Sequence, residues 1–157
     1  MTEYERLIDV VARLRGEGGC PWDREQTHES LKRHLIEEAC EVVAGINRLA
    51  KTSDAGNLKE ELGDLLFQVV IQAQIAQEEG LFTMEDVCRT ISDKMVNRHP
   101  HVFGNAEAPE NIVTSWEEIK KAEKKGKNEA EELKYLAEAF EEGKQLIEKA
   151  KERKGLS

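Results

Sequence analysis

Two short segments of the chain concentrate carboxylates beside apolar residues. The first reads IEEACE at 36–41 and the second reads EELGD at 60–64. Each contains an acidic pair spaced i, i+3, namely Glu38 with Glu41 and Glu61 with Asp64. Like charges this close on a helix repel each other by roughly 0.2–0.5 kcal/mol per pair. That repulsion is relieved either by water at an exposed face or by a bound cation.

The position of these pairs on their helices favours the cation. On a wheel of about 100° per residue, each pair falls near 300° and 240° from the leucine that precedes it, Leu35 or Leu58, at the flank of the apolar stripe. If the two helices pack antiparallel, the four carboxylates converge. An all-oxygen set suits Mg²⁺, with Mn²⁺ as a substitute. A di-iron bundle would add Glu-x-x-His pairs, which His28 and His34 do not supply.

Candidate substrate-binding residues lie outside these two segments. Lys94 and Arg98 are one helical turn apart and share a face. Alone they would be two surface charges, but beside a carboxylate-bound metal they suit a phosphate chain, since Arg grips phosphate oxygens bidentately. In the glycine-rich loop GEGGCPWD (16–23), Trp22 either stacks on a base or anchors the loop.

The composition predicts a single soluble helical domain. The chain has 157 residues, of which 39% are apolar, 35% charged and only 5% aromatic. Sparse aromatics and the lack of long apolar–polar alternation argue against sheets. A net charge of -9 excludes nonspecific nucleic-acid binding, and no run approaches the roughly 20 apolar residues of a membrane span. Three widely separated cysteines indicate a reducing, cytoplasmic environment.

Hydrophobic periodicity and capping signals predict an all-α antiparallel bundle with the second, third and fourth helices as its body. The expected caps are Thr27, Asn57 with Glu60, Thr83 with Asp86, and Ser115 with Glu118, while Gly80 and Gly126 interrupt helices. The six predicted helices span about 7–14, 28–50, 57–79, 83–98, 115–125 and 129–154.

The third predicted helix is apolar nearly all round, which predicts burial on more than one side. One stripe comprises Leu62, Leu65, Leu66, Val69, Val70 and Ala73. Phe67, Ile71 and Ile75 point elsewhere, and we expect another subunit to cover this second face. The sequence thus predicts a homo-oligomer, most simply a two-fold dimer.

Five motifs in order make the chain resemble the MazG-type nucleoside triphosphate pyrophosphohydrolases of the all-α NTP pyrophosphatase superfamily, over about residues 3–125. The motifs are CPWDREQTHESL (20–31), EEACE (37–41), EELGD (60–64), KMVNRHPHVFG (94–104) and SWEEIKKAEK (115–124). The resemblance implies a catalytic bundle at 1–125 and a helical extension at 126–157. Many relatives carry two modules in tandem, but no second E-E-x-x-E or E-x-x-D follows here.

The resemblance also implies an activity and a role for each site residue. The activity is Mg²⁺-dependent hydrolysis of a nucleoside triphosphate between its α and β phosphorus atoms, which gives the monophosphate and pyrophosphate. Glu37 would be an outer ligand or orient the attacking water, and Trp116 with Lys120 would contact the nucleotide. The implied metal ligands are Glu38, Glu41, Glu61 and Asp64, and the implied phosphate ligands are Lys94 and Arg98.

Rival functions and two departures from the family pattern stay open at this point. The rivals are a dUTP/dCTP-selective hydrolase, a phosphoribosyl-ATP hydrolase, and a non-catalytic nucleotide-sensing or interaction bundle. The last is disfavoured because all four predicted ligands are present. Asn97 stands where many relatives have another Arg, which weakens the expected phosphate grip, and Cys40 replaces a common aromatic residue.

Overall fold

Helices make up all the regular structure in the part of the chain that the computed structural model describes, residues 1–108, 110–125 and 128–156. No strand occurs in these ranges, and the predicted all-α class is confirmed. The helices are α1 (Glu3–Arg15), α2 (Pro21–Glu25), α3 (Lys32–Thr52), α4 (Gly56–Glu78), α5 (Met84–Arg98), α6 (Pro100–Phe103), α7 (Ile112–Lys124) and α8 (Glu129–Arg153).

The backbone separates into two compact units. The first unit contains Met1–Met84 and Glu141–Ser157, and the second contains Glu85–Phe140. Both α5 and α8 continue from one unit into the other. The predicted functional boundary at 125/126 does not coincide with this division and stays a prediction. Within the described ranges, no helix has both the length and the apolar content that a membrane span needs.

The core of the first unit forms where α1 packs on α4. Val11 of α1 and Leu31 lie against Val70, Ile71 and Ile75 of α4, and all five are nearly inaccessible to solvent. Phe67 packs partly buried against the same cluster. The face of α4 that we assigned to a partner subunit is therefore covered within the chain, and that prediction is wrong. The predicted bundle body did not include α1, although α1 is the helix that covers this face.

The opposite error concerns the stripe that we assigned to the core. Leu62 keeps 50% of its surface exposed and Leu66 keeps 39%, although Val70 and Ala73 are buried as predicted. Because α4 is apolar nearly all round, periodicity alone does not decide which side another helix covers.

The predicted antiparallel pairing is found between α3 and α4. Gly45 of α3 lies so close to α4 that a Cβ atom added there would be 3.0 Å from the Cα of Leu58. At the other end of the pair, the side-chain amide of Gln72 donates to the backbone carbonyl of His28 at 3.3 Å. The two carboxylate segments are thus drawn alongside each other.

Several predicted helix starts are displaced. Thr27 and Ser30 exchange hydrogen bonds in a turn, so α3 begins only at Lys32. Ala55, not Asn57, occupies the N-cap of α4. The helix assigned to Ser115 begins at Ile112. Gly80 follows the end of α4 with a φ of 71°, as its predicted stop role requires, whereas Gly126 lies outside the described residues.

A buried arginine fixes the loop between α1 and α3. The guanidinium of Arg15 donates to the backbone carbonyls of Asp23 and Gln26. It also pairs bidentately with Glu78, at 2.7 Å for the Nη2–Oε2 contact, although only 6% of the Arg15 side chain is exposed. This clamp holds α2, and with it Trp22, against the ends of α1 and α4.

Candidate functional site

Three predicted metal ligands come together between α3 and α4. Glu38, Glu61 and Asp64 each place one carboxylate oxygen within 4.8 Å of the other two. Glu38 comes from α3, and the i, i+3 pair Glu61 and Asp64 comes from α4, so the antiparallel pairing creates the cluster. Oxygen atoms at this spacing can converge on one hard cation.

The surroundings of Glu38 disfavour the ionised form of its carboxylate. Its Oε2 atom is buried and has no hydrogen-bond partner. Burial, reinforced by the charges of Glu41, Asp64 and Glu61, raises the pKa of Glu38 to about 7. Leaving a buried acceptor unsatisfied costs roughly 1–3 kcal/mol. A divalent ion would satisfy this oxygen and restore the ionised carboxylate.

Asn57 orients one member of the cluster. Its side-chain amide donates to Oε1 of Glu61 at 2.8 Å, one turn along α4. The sequence pattern predicted a helix cap at Asn57 and not this contact. The i, i+4 spacing of Asn57 and Glu61 was the available signal, because residues four apart share a helix face.

The other two predicted carboxylates are engaged by cations from the carboxyl end of α8. Oε1 of Glu41 accepts a hydrogen bond from Nζ of Lys154, and Oε1 of Glu37 accepts one from the guanidinium of Arg153. Burial opposes ionisation of Glu37, but the hydrogen bond and charge of Arg153 outweigh it and lower its pKa. The structure therefore does not group Glu41 with the three converging carboxylates.

Trp22 lies close to the carboxylate segment of α3. Its ring meets the edge of His34 at a centroid distance of 5.8 Å, and His34 Nδ1 lies 3.9 Å from Oε2 of Glu37. About half of the Trp22 surface, 49%, stays exposed. Burial, and secondarily the charge of Arg33, lowers the pKa of His34 and so disfavours its protonated form. The exposed surface of Trp22 is available for stacking.

A second polar residue on the same side of α4 escaped the sequence analysis. Gln68, one turn beyond Asp64, is only 6% exposed, and its Oε1 atom has no partner. The wheel that placed Glu61 and Asp64 puts Gln68 between them in angle, which was the signal for it.

The remaining predicted substrate residues lie in the second unit. Arg98 binds Glu123 through three hydrogen bonds, with Nε 3.0 Å from Oε1. The Cζ atom of Arg98 lies 5.1 Å from the ring centroid of Trp116. Lys94, Arg98 and Lys120 line a cavity of about 450 Å³. Nζ of Lys120 also lies 3.4 Å from Glu117. The second unit thus brings all four predicted residues of α5 and α7 to one region.

Comparison with known proteins identifies relatives of both units. Residues 26–103 match the MazG nucleotide pyrophosphohydrolase domain, a range that includes the carboxylates, Lys94 and Arg98. The Thermotoga maritima nucleoside triphosphate pyrophosphohydrolase/pyrophosphatase MazG is 49% identical over 130 residues, covering 83% of this chain and 48% of that protein. The Escherichia coli K12 nucleoside triphosphate pyrophosphohydrolase is 47% identical over 127 residues, 79% of this chain and 47% of the relative.

A more distant relative extends the match towards the end of the chain. The Mycobacterium tuberculosis nucleoside triphosphate pyrophosphohydrolase is 38% identical over 152 residues, 93% of this chain and 45% of that protein. The chain spans about half the length of these curated relatives.

Proposed function

Because the chain belongs to the MazG nucleotide pyrophosphohydrolase family, we propose that it hydrolyses nucleoside triphosphates between the α and β phosphorus atoms, with Mg²⁺, to the monophosphate and pyrophosphate. The observation that carries this proposal is the convergence of Glu38, Glu61 and Asp64 around the unpartnered oxygen of Glu38. The same observation disfavours a non-catalytic bundle, because three converging carboxylates without a cation repel one another and leave the buried oxygen of Glu38 without a partner.

The donor set fits magnesium. All converging atoms are carboxylate oxygens, which Mg²⁺ and Mn²⁺ prefer to nitrogen- or sulfur-rich sites. Glu38, Glu61 and Asp64 would hold the ion, and Glu41 would join them as the family motif implies. When bound, the ion would neutralise phosphate charge and lower the pKa of a coordinated water.

The chain's own residues would bind and orient the substrate around that ion. Glu37 would orient the attacking water or act as an outer ligand. Lys94 and Arg98 would hold the phosphate chain. Arg98 suits this role because Glu123 and Trp116 fix its guanidinium, and a fixed fork loses less entropy when it grips an anion. Trp116 and Lys120 would contact the nucleotide, and Trp22 would stack on the base.

We propose a homo-oligomer in the cytoplasm, with a different interface from the one that the sequence suggested. Apolar side chains remain at least a third exposed along one stripe of each paired helix, namely Leu35, Val43 and Ile46 on α3 and Leu62, Leu66 and Val69 on α4. Fully burying each such side chain is worth about 1.5–3 kcal/mol. A second copy of the chain, docked on this stripe, is the occupant we propose.

Product analysis tests the proposed reaction. The protein is incubated with Mg²⁺ and a panel of ribo- and deoxynucleoside triphosphates that includes dUTP and dCTP, with phosphoribosyl-ATP added, and products are separated by chromatography. We expect a monophosphate plus pyrophosphate from a triphosphate. A diphosphate with orthophosphate would contradict the proposed cleavage position, and preferential turnover of phosphoribosyl-ATP would favour the sister activity.

A matched pair of variants ties the reaction to the cluster. Glu61→Gln removes one converging carboxylate, whereas Glu60→Gln removes the charge of its exposed neighbour on α4. Activity should be lost in the first variant and kept in the second. Equal activities would show that the cluster does not carry the reaction.

A further inference from the structure

The carboxyl end of α8 supplies two cations to the carboxylates of α3. Arg153 donates to Glu37 and Lys154 donates to Glu41. The acceptors are four residues apart and therefore lie on one face of α3. Other lysines of the same helix segment pair locally instead, as Lys151 does with Glu148 at 3.1 Å. Contacts that span more than 110 positions of the sequence are not a by-product of local helix pairing.

Further contacts fix this segment of α8 in the first unit. Nζ of Lys32, at the start of α3, lies 3.3 Å from the carboxylate of Glu142. Farther along α8, Ala150 is only 8% exposed. The order of the partners, from Lys32 with Glu142 to Glu41 with Lys154, means that this segment of α8 runs parallel to α3. The basic last turn of α8 therefore lies beside the carboxylates of the E-E-x-x-E motif on α3.

The positive charges of Arg153 and Lys154 offset the negative charge of carboxylates that a bound metal ion would otherwise offset. Lys154 contacts Glu41, which lies one helical turn from Glu38 on α3. Two unit positive charges on Glu37 and Glu41 equal the charge of one divalent ion.

We propose that Arg153 and Lys154 are internal counter-ions of the metal site, which compete with the divalent ion for Glu37 and Glu41 and leave these carboxylates when the ion binds. The inference rests on the proposed function, because it takes the carboxylates as metal ligands. It assigns a task to the carboxyl end of α8, which lies outside the matched family domain at 26–103. That end of the chain sets how tightly the site holds its ion.

Calorimetric titration with Mn²⁺ tests the competition without any turnover. The wild type is compared with the double variant Arg153→Met, Lys154→Met, and with the control Lys151→Met, which removes a positive charge of the same helix end that contacts Glu148 instead. We expect the double variant to bind Mn²⁺ at least about tenfold more tightly, since cation–cation repulsion beside the site is removed. The control should stay within about twofold of the wild type because charges farther off are screened.

The possible results separate the two proposals. Mn²⁺ binding by the wild type that is equal to or tighter than binding by the double variant overturns the counter-ion inference and leaves the metal site standing. Failure of the wild type to bind Mn²⁺ at all overturns the metal site and the inference with it.

Limited proteolysis provides a second readout on the unmodified chain. Trypsin cleaves after Arg and Lys, and the ion pairs of Arg153 and Lys154 hold this end of the chain. Saturating Mg²⁺ should speed cleavage at these two residues several-fold, relative to a peptide substrate that reports any effect of Mg²⁺ on trypsin itself. An unchanged rate overturns the predicted release.

Discussion

The two halves of α4 are similarly apolar in sequence but differ in what surrounds them. One face of its carboxyl-terminal half is enclosed, with Val70, Ile71 and Ile75 packed against α1. Its amino-terminal half carries Glu61 and Asp64 of the cluster and leaves Leu62 and Leu66 exposed. Because α1 covers only the carboxyl-terminal half, the amino-terminal half has acidic side chains on one face and exposed apolar side chains on the neighbouring face. The carboxyl-terminal half of α4 thus stabilises the fold, and the amino-terminal half carries the candidate functional site.

The largest expected effect comes from breaking the enclosed half. Ile71→Ala should lower the free energy of unfolding by about 2–5 kcal/mol, because it leaves a cavity in a fully buried cluster. Leu62→Ala in the exposed half should cost far less, within about 0.5 kcal/mol for the monomer. Urea denaturation at low protein concentration measures both. Equal losses would refute the contrast between the halves.

Breaking the carboxylate site, through Asp64 in the functional half of α4 and Glu41 on the facing α3, should abolish activity and leave the fold intact. Asp64→Asn and Glu41→Gln remove ligand charge with little change in volume, and removing one stabilising group from a charged transition state typically costs roughly 10²–10³ in kcat. Relief of carboxylate repulsion should keep the melting temperature of metal-free Asp64→Asn at or above that of the wild type, whereas Glu41→Gln also loses the ion pair with Lys154. Steady-state rates at saturating Mg²⁺ check the predicted loss of activity, and thermal melts check the predicted melting temperatures. Near-normal turnover in either variant would rule out a catalytic role for the carboxylate that was replaced.

The difference between the halves also shows which features the sequence could predict. The all-α fold and the convergence of Glu38 with Glu61 and Asp64 follow from local spacing, because residues at the same wheel angle lie alongside each other once their helices are adjacent. The same spacing also predicted Glu41, which the structure does not group with them. Which apolar face of α4 is covered depends on α1, about 60 residues away in the chain, and periodicity carries no information about that choice.

Long-range ion pairs were equally hidden. Nothing near Lys154 indicates that its partner is Glu41 rather than an acidic residue one turn away, since a basic last turn is also what the helix dipole favours. The contact between Arg98 and Glu123 similarly joins two helices, and only their packing reveals it.

The exposed half should also control assembly. Replacing Leu62 and Leu66 by Ser should convert the proposed oligomer to monomer, because the apolar stripe would no longer be worth burying. Val10→Ser is the control, since Val10 is an exposed apolar residue of α1 outside that stripe. Sedimentation velocity at micromolar concentration distinguishes the species. A wild type that is already monomeric, or a double variant that stays associated, would refute this interface.

The smallest effect concerns pH. The pKa of Glu38 rises from 4.5 to about 7 on folding, first through burial and then through neighbouring carboxylates. Between these values the folded metal-free protein binds more protons than the unfolded chain, so its stability should fall as pH rises from about 4.5 to 7. The melting temperature of the wild type should therefore drop across this window relative to Glu38→Gln. A parallel pH dependence in the two proteins would show that Glu38 is not destabilised by its surroundings.

Direct metal binding tests the central claim, that carboxylates from α3 and α4 form one site for a divalent ion. Electron paramagnetic resonance of Mn²⁺ reports free and bound ion without substrate. We expect the wild type to bind Mn²⁺, and Glu38→Gln, Glu61→Gln and Asp64→Asn each to weaken binding at least about tenfold, because each removes a charged oxygen ligand. Glu60→Gln should bind like the wild type. Undiminished binding in all three cluster variants would contradict the account.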